Sequence, residues 1–255
     1  MAELTKYELR RYASQISLPE IGQNGQLKLK KSKVLVIGAG GQGTTVMQYL
    51  TAAGIGVLGI ADDGSNHIKN LQRQVMYSEK DLGKMKTIVA GNRLRDQNHL
   101  VNVKMHNIRI TEHNILKTIE PYDLIIDATD DYDTRYLIDD ACSATNKTWI
   151  FGAVYKFEGQ ISVFNYRNGP TLRCLYPEKL LIPDKYLAVN TDLFGALPGL
   201  IGCYQAAEAI KILLEIGDVI SKKILIINIL NTTFIFSGFE KDRKIEHNRL
   251  FADKK

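Results

Sequence analysis

The run Val34-Leu35-Val36-Ile37 leads directly into Gly38-Ala39-Gly40-Gly41-Gln42-Gly43. Four apolar, mostly β-branched residues stopped by glycine predict a strand buried on both faces, as in a parallel sheet. The glycines permit a tight turn and close backbone approach, and a helix opening there presents unpaired N–H groups to phosphate. Asp62 ends the next apolar run, where a carboxylate can hold ribose hydroxyls. Strand, glycine turn and helix indicate a nucleotide site, for which a nicotinamide dinucleotide enzyme is the usual reading; a purely structural turn is the alternative.

The alternation continues. Helices are expected over 44–53, 85–94 and 135–144, and strands over 57–60, 101–106 and 123–127, which implies a parallel sheet with right-handed crossovers. Residues 4–31 read as helical. From Trp149 the pattern changes: 151–154 and 160–166 read as strands joined by a short polar turn, hence antiparallel. Pro170, Pro177, Pro183 and Pro198 make 168–198 mostly irregular, and so long a loop in a compact domain is usually functional or mobile. A helix over 200–216 and a hairpin of 223–230 with 232–237 close the chain. The expected fold is α/β, a Rossmann-like doubly wound, mostly parallel sheet extended by antiparallel strands. An N-terminal helical segment (1–32) precedes one domain (33–240), and a polar tail (241–255) follows.

Two further motifs carry charge. Asn70-Leu71-Gln72-Arg73-Gln74 is followed by Lys86, and two cations beyond a dinucleotide loop suit a triphosphate whose charge must be neutralised as pyrophosphate leaves. Solvated surface charges are the alternative. Asp127-Ala128-Thr129-Asp130-Asp131 lies at the carboxyl end of a buried strand, the edge where open α/β sheets bind ligands. A carboxylate there can hold Mg²⁺ together with phosphates. Asp130 is the metal candidate, while Asp131 or Asp133 can serve as a helix N-cap.

Composition narrows the class. The 255 residues are 45% hydrophobic and 24% charged, with a formal net charge of +5. That is an ordinary globular balance, against a disordered or collagen-like chain, and the small, dispersed surplus does not indicate nucleic-acid binding. Cys142, Cys174 and Cys203 form no CxxC pair and no disulfide framework, so they read as cytosolic thiols. The longest uncharged stretch, 193–207, is shorter than the ~18–20 residues of a membrane span, and no apolar core follows Met1. A soluble cytoplasmic protein that engages no membrane is expected.

Together these residues resemble the adenylyltransferases that activate ubiquitin-like sulfur carriers, of the molybdopterin-synthase and thiamine-pathway type, related to ubiquitin-activating enzymes. The resemblance runs from about Tyr12 to Phe236. It rests on Gln15-Ile16 with Leu18-Pro19-Glu20, Gly38 to Gly43, Asn70 to Gln74, Lys86 and Thr129-Asp130. Gly152-Ala153, Glu158-Gly159-Gln160, Cys174 to Pro177, Leu197-Pro198-Gly199, Gln205-Ala206 and Glu208-Ala209 extend it. The Asn-Leu-Gln-Arg-Gln run is its most specific part. The resemblance implies ATP and Mg²⁺, with Gly38, Gly40, Gly41, Gly43, Asp62, Asn70, Arg73, Gln74 and Lys86 at the nucleotide. Asp62 would meet the ribose, Arg73 and Lys86 the triphosphate, and Asp130 the Mg²⁺, so that Arg73, Lys86 and Asp130 carry the catalysis. The substrate would be a carrier ending in Gly-Gly, adenylated at its C-terminal glycine. Residues 33–148 would bind nucleotide, and 149–240 would bind carrier and form a homodimer or a hetero-oligomer.

Three departures from that family stand out. Relatives often carry two CxxC pairs for zinc, but here the first is Thr171-Leu172-Arg173-Cys174 and no cysteine follows Cys203, so no zinc site is expected. No cysteine lies between Leu175 and Gly202, where relatives often have one near the position of Ala188; Cys203 reads as a buried core thiol. Ser14 stands where relatives supply an arginine to the neighbouring subunit's ATP site, and Arg11 of the other subunit, or else Arg10 or a partner chain, is expected to replace it. Adenylation of a peptide C-terminus, or a weakly active nucleotide-binding subunit, are the alternative functions.

Overall fold

The computed structural model describes residues 3–177 and 192–242. The segment expected to be helical over 4–31 holds three short helices, α1 (Lys6–Arg11), α2 (Ala13–Ile16) and α3 (Gly22–Lys31). The first break falls at Tyr12, whose backbone (φ −100°, ψ 15°) leaves the helical region. Gln26 ties this segment to the rest of the domain, its buried amide donating to the Ala53 carbonyl at 2.9 Å.

Then come β1 (Lys33–Ile37), α4 (Gly41–Ala53), β2 (Val57–Ala61), α5 (Lys86–Gln97), β3 (Asn102–His106), α6 (Ile115–Ile119), β4 (Leu124–Asp127), α7 (Tyr132–Ala144) and β5 (Thr148–Tyr155). After β6 (Glu158–Phe164) lie α8 (Leu172–Leu175), α9 (Ala196–Leu214), β7 (Lys223–Asn228) and β8 (Thr233–Gly238). All eight strands form one sheet in the order β3-β2-β1-β4-β5-β6-β7-β8. The five strands from β3 to β5 are parallel, and β6, β7 and β8 add on antiparallel. The expected doubly wound sheet with an antiparallel extension is therefore the observed one.

Alternation along β1 divides the core. Val34 and Val36 face the cluster built with Val46, Met47 and Leu50 of α4, whereas Leu35 and Ile37 face Ile138 and Ala141 of α7. Helix α9 is long and apolar enough to cross a membrane by length and composition. It lies against the sheet, with Leu197, Ile201, Ala206 and Ala209 in the core beside Ile161 and Val163. The strand expected over 160–166 stops at Phe164, because Asn165 turns left-handed (φ 52°) and a 3₁₀ turn follows. Helix α7 begins three residues before the expected start, since Asp131 caps it by accepting from the Asp133 and Thr134 amides, a cap worth ~1 kcal/mol.

The order 3-2-1-4 has a physical consequence. Chain connections leave the β1 end in opposite directions, one through α4 and α5, the other through α6 and α7. They open a crevice at the carboxyl ends of β1, β2 and β4.

Candidate nucleotide-binding cleft

That crevice is a cleft of about 390 Å³. Its floor is the glycine loop, and each glycine there has a separate reason. Gly38 has φ +100°, and a Cβ on it would come within 2.5 Å of the Ala128 carbonyl oxygen. A Cβ on Gly43 would lie 1.9 Å from the Gly38 carbonyl oxygen, and one on Gly41 would meet Pro198 of α9 at 2.8 Å. Gly40 differs: the nearest atom to a Cβ there is Gln74 Nε2, 3.7 Å away. The protein leaves that space open, on the side from which a phosphate would approach the backbone.

Gly38, Gly40, Gly41, Asp62, Arg73, Gln74, Lys86 and Asp130 all line this one cleft. Two of the expected residues do not. Gly43 lies beneath the loop, where its lack of a side chain lets α4 start. Asn70 is buried behind Arg73 and accepts from its Nη2 at 3.4 Å, so it orients the guanidinium. Arg73 also donates from Nη1 to the Lys69 carbonyl at 3.3 Å. Asp62 is already engaged: its Oδ2 accepts from the Ala39 amide and its Oδ1 from the Gly64 amide, both at 2.7 Å. Each oxygen keeps a lone pair for a ribose hydroxyl.

The carboxyl end of β4 is the most charged part of the wall. Asp127 is fully buried; its Oδ1 accepts from the Thr129 amide (2.9 Å) and hydroxyl (2.6 Å), and its Oδ2 from Arg135 Nε (3.1 Å). Burial pushes the Asp127 carboxyl above the usual carboxylate range, opposed by the Arg135 charge and the Thr129 bonds. Asp130, three residues on, is exposed in the cleft and carries no hydrogen bond or ion pair among the described residues. Arg135 was not among the expected site residues, because in sequence it is one cation on an amphipathic helix. Ile108, Arg109 and Ile110 were missed too; they reach the cleft only because the chain leaving β3 bends past Asp62.

The donor set suits a triphosphate. The Lys86 ammonium is half-buried without a hydrogen-bonding or ion-pair partner among the described residues, and Gln42 Nε2 and Gln74 Oε1 are buried without one. Polar groups left unmatched in a cleft are costly unless a ligand completes them. One exposed carboxylate, Asp130, suits Mg²⁺, which needs one or two carboxylates besides phosphates and water. Among the described residues no group of three or more His, Cys, Asp or Glu could hold a metal by itself, so phosphates would have to complete the shell.

The family model that covers residues 12–248 is that of the ThiF family. The chain belongs to the ThiF family. It is 41% identical over 235 residues to the sulfur carrier protein adenylyltransferase of Thermus thermophilus, covering 90% of this chain and 87% of that one. It is 40% identical over 236 residues to the probable molybdopterin-synthase adenylyltransferase of Gracilaria tenuistipitata, covering 91% of this chain and 65% of that longer relative. In fold it is similar to Escherichia coli MccB crystallised with succinimide. The TM-score is 0.82 at 22% identity, over 93% of this chain and 74% of that one.

The positions at which the sequence was expected to depart from the family have structural correlates. Ser14 is exposed on α2. Arg11 donates from Nη2 to the Gln97 carbonyl at 2.6 Å and from Nη1 to the Tyr7 hydroxyl at 3.4 Å. Within one chain the guanidinium thus lies at the carboxyl end of α5, where orphan carbonyls attract a cation. Cys203 is half-buried rather than buried. The position of Ala188 lies outside the described residues.

In the Thr171-Leu172-Arg173-Cys174 run, Thr171 and Cys174 form a capping box for α8, with Oγ1 and Sγ 3.8 Å apart. The α8 turn is pinned to α7. Asp139 accepts from the Leu172 amide (3.0 Å) and the Trp149 indole (3.1 Å), and Asp140 takes a two-pronged bond from Arg173 (2.7 and 2.8 Å).

Proposed function

We propose that this chain adenylates the C-terminal glycine of a ubiquitin-like sulfur-carrier protein, forming an acyl-adenylate and pyrophosphate from ATP. The observation that carries this reading is the meeting of Lys86, Arg73 and Asp130 around the open glycine loop. The 41% identity with a sulfur carrier protein adenylyltransferase over 87% of its length supports it.

In this reading the loop amides and the Arg73 and Lys86 cations hold the triphosphate, and Asp62 orients the ribose. Asp130 would hold Mg²⁺, which supplies further charge neutralisation when bound. The carrier's tail lies along the wall of Ala153, Val154 and Tyr155. Its carboxylate oxygen forms a bond to the α-phosphorus as the bond to the bridging oxygen breaks, and pyrophosphate leaves with the electron pair. No side chain forms a covalent bond; the chain positions two anions and neutralises their repulsion. We place the homodimer interface on the face formed after Trp149, which sedimentation of the purified protein tests.

The deciding experiment is exchange of labelled pyrophosphate into ATP in the presence of a carrier ending in Gly-Gly. Exchange should need the carrier and fall by ~10²–10³ in Asp130→Ala and Lys86→Ala. Unchanged exchange in both folded variants refutes the assignment.

A further inference from the structure

Behind the glycine loop, hydrogen bonds link four segments in a chain. Ala39 N–H and Gly64 N–H both donate to Asp62. Lys86 N–H donates to the Gly64 carbonyl at 3.0 Å. At the Ala39 end of the chain is Tyr77, which is 5% exposed and whose hydroxyl lies 3.0 Å from the Ala39 carbonyl oxygen and 3.5 Å from that of Lys86. A hydroxyl has one proton, so the shorter contact, to Ala39, is the bond it donates. Tyr77 does not line the cleft.

The peptide plane explains what this bond controls. The Ala39 carbonyl and the Gly40 N–H belong to the same planar unit, so fixing one fixes the direction of the other. Ala39 sits between Gly38 and Gly40, where the backbone has little steric resistance to rotation. Asp62 holds the plane before Ala39 and Tyr77 holds the plane after it. Gly40 is the loop residue with open space above its Cα. Burial, and then the Asp62 charge, push the Tyr77 hydroxyl pKa far up, so it stays a donor at every working pH.

We propose that Tyr77 is a positioning residue for the ATP phosphates, acting by holding the Ala39 carbonyl and so aiming the Gly40 amide into the cleft. This rests on the ATP-dependent reading above. Asp62 and Lys86 contact the nucleotide in that reading; Tyr77 acts only through Ala39.

Tyr77→Phe tests it, since it removes one oxygen and keeps the ring in the core. ATP and adenosine binding are measured by calorimetry on the full chain without carrier, at low temperature so that the folded fraction is retained, with circular dichroism confirming the fold. Loss of one well-made bond predicts ATP affinity weaker by about fivefold to tenfold. The KM for ATP should rise equally, while adenosine affinity and the KM for carrier stay within about twofold. Unchanged ATP affinity overturns the proposal. Equal weakening of ATP and adenosine also overturns it, because a general scaffold role would shift both. Failure of the unmodified chain to bind ATP at all instead refutes the nucleotide reading on which it stands.

Discussion

Arg135 donates through Nε to the Asp127 carboxylate at 3.1 Å, in a place where neither side chain is more than 4% exposed. The same guanidinium reaches, through Nη2, the carbonyls of Thr129 (2.7 Å) and Gly152 (3.1 Å). It therefore joins the turn bearing Asp130 to β5, the wall proposed for the carrier tail. Burying such a pair costs about as much desolvation as its attraction returns, so its use is to hold geometry. Arg135→Met should lose ~3–5 kcal/mol of stability, because it strands a buried carboxylate. Arg135→Lys keeps the charge without the fork. It should fold yet exchange pyrophosphate ~10²-fold more slowly, the cost of a misplacement near 1 Å. Wild-type exchange in Arg135→Lys would make the pair a matter of stability alone.

Two glycines of one loop should respond oppositely to alanine. Gly43→Ala puts a methyl 1.9 Å from the Gly38 carbonyl oxygen and should prevent stable folding. At Gly40 a methyl finds its nearest neighbour at 3.7 Å, so the variant should melt near wild type. It should nevertheless bind ATP at least ~10-fold more weakly, having filled the phosphate's approach to a backbone donor. Thermal melts paired with calorimetry read both results.

Ser14 and Arg11 make a second contrast. Because Arg11 is committed to the Gln97 carbonyl, Arg11→Ala should lower thermal stability slightly and leave the exchange rate unchanged. Ser14→Arg should speed adenylation, by up to ~10³ if the added cation reaches a phosphate as arginine fingers do. A slow Arg11→Ala enzyme with normal stability would return Arg11 to the active site.

Zinc should not co-purify in stoichiometric amount, since Thr171 cannot act as a thiolate and its hydroxyl is used in capping α8. Elemental analysis of the purified chain, and a melt with and without a strong chelator, measure this directly. One zinc per chain, or a midpoint lowered by the chelator, would contradict it.

Burial raises the Asp139 carboxyl to about 6, with Asp140 adding to the shift and bonds from the Leu172 amide, Trp149 and the Arg173 amide opposing it. A carboxyl with a raised folded-state pKa binds its proton more tightly when folded. Its effect on stability is therefore most favourable below the unfolded value of ~3.9 and is lost as pH rises to about 6. Asp139→Asn keeps an oxygen for Leu172 and Trp149 but cannot titrate. Relative to wild type it should gain on the order of 2–3 kcal/mol between pH 3 and pH 7. Parallel curves in urea unfolding at several pH values would show that Asp139 does not titrate in this range.

Local pattern carried much of this protein. The apolar β-branched runs of β1 and β4, the glycines after Ile37, and the change of pattern at Trp149 each report on neighbours a few residues away. Their reading as a parallel sheet with an antiparallel extension therefore needed no tertiary information. Arg73 and Lys86 were legible as candidates from the Asn70–Gln74 run and the cation that follows it, with solvated surface charge the alternative, and Asp130 from its place at the end of a buried strand. What the chain order alone could not decide is which side chains are already spent. Asp62 is half occupied by Ala39 and Gly64, and Arg11 bonds the carbonyl of Gln97, 86 residues away. Arg135 becomes part of the cleft only because Asp127, Thr129 and Gly152 converge on it. Tyr77 matters only because folding lays it against Ala39, 38 residues earlier. Hydrogen bonds are satisfied by whatever lies within about 3 Å, and across such sequence separations the packing of the sheet and its helices decides what that is.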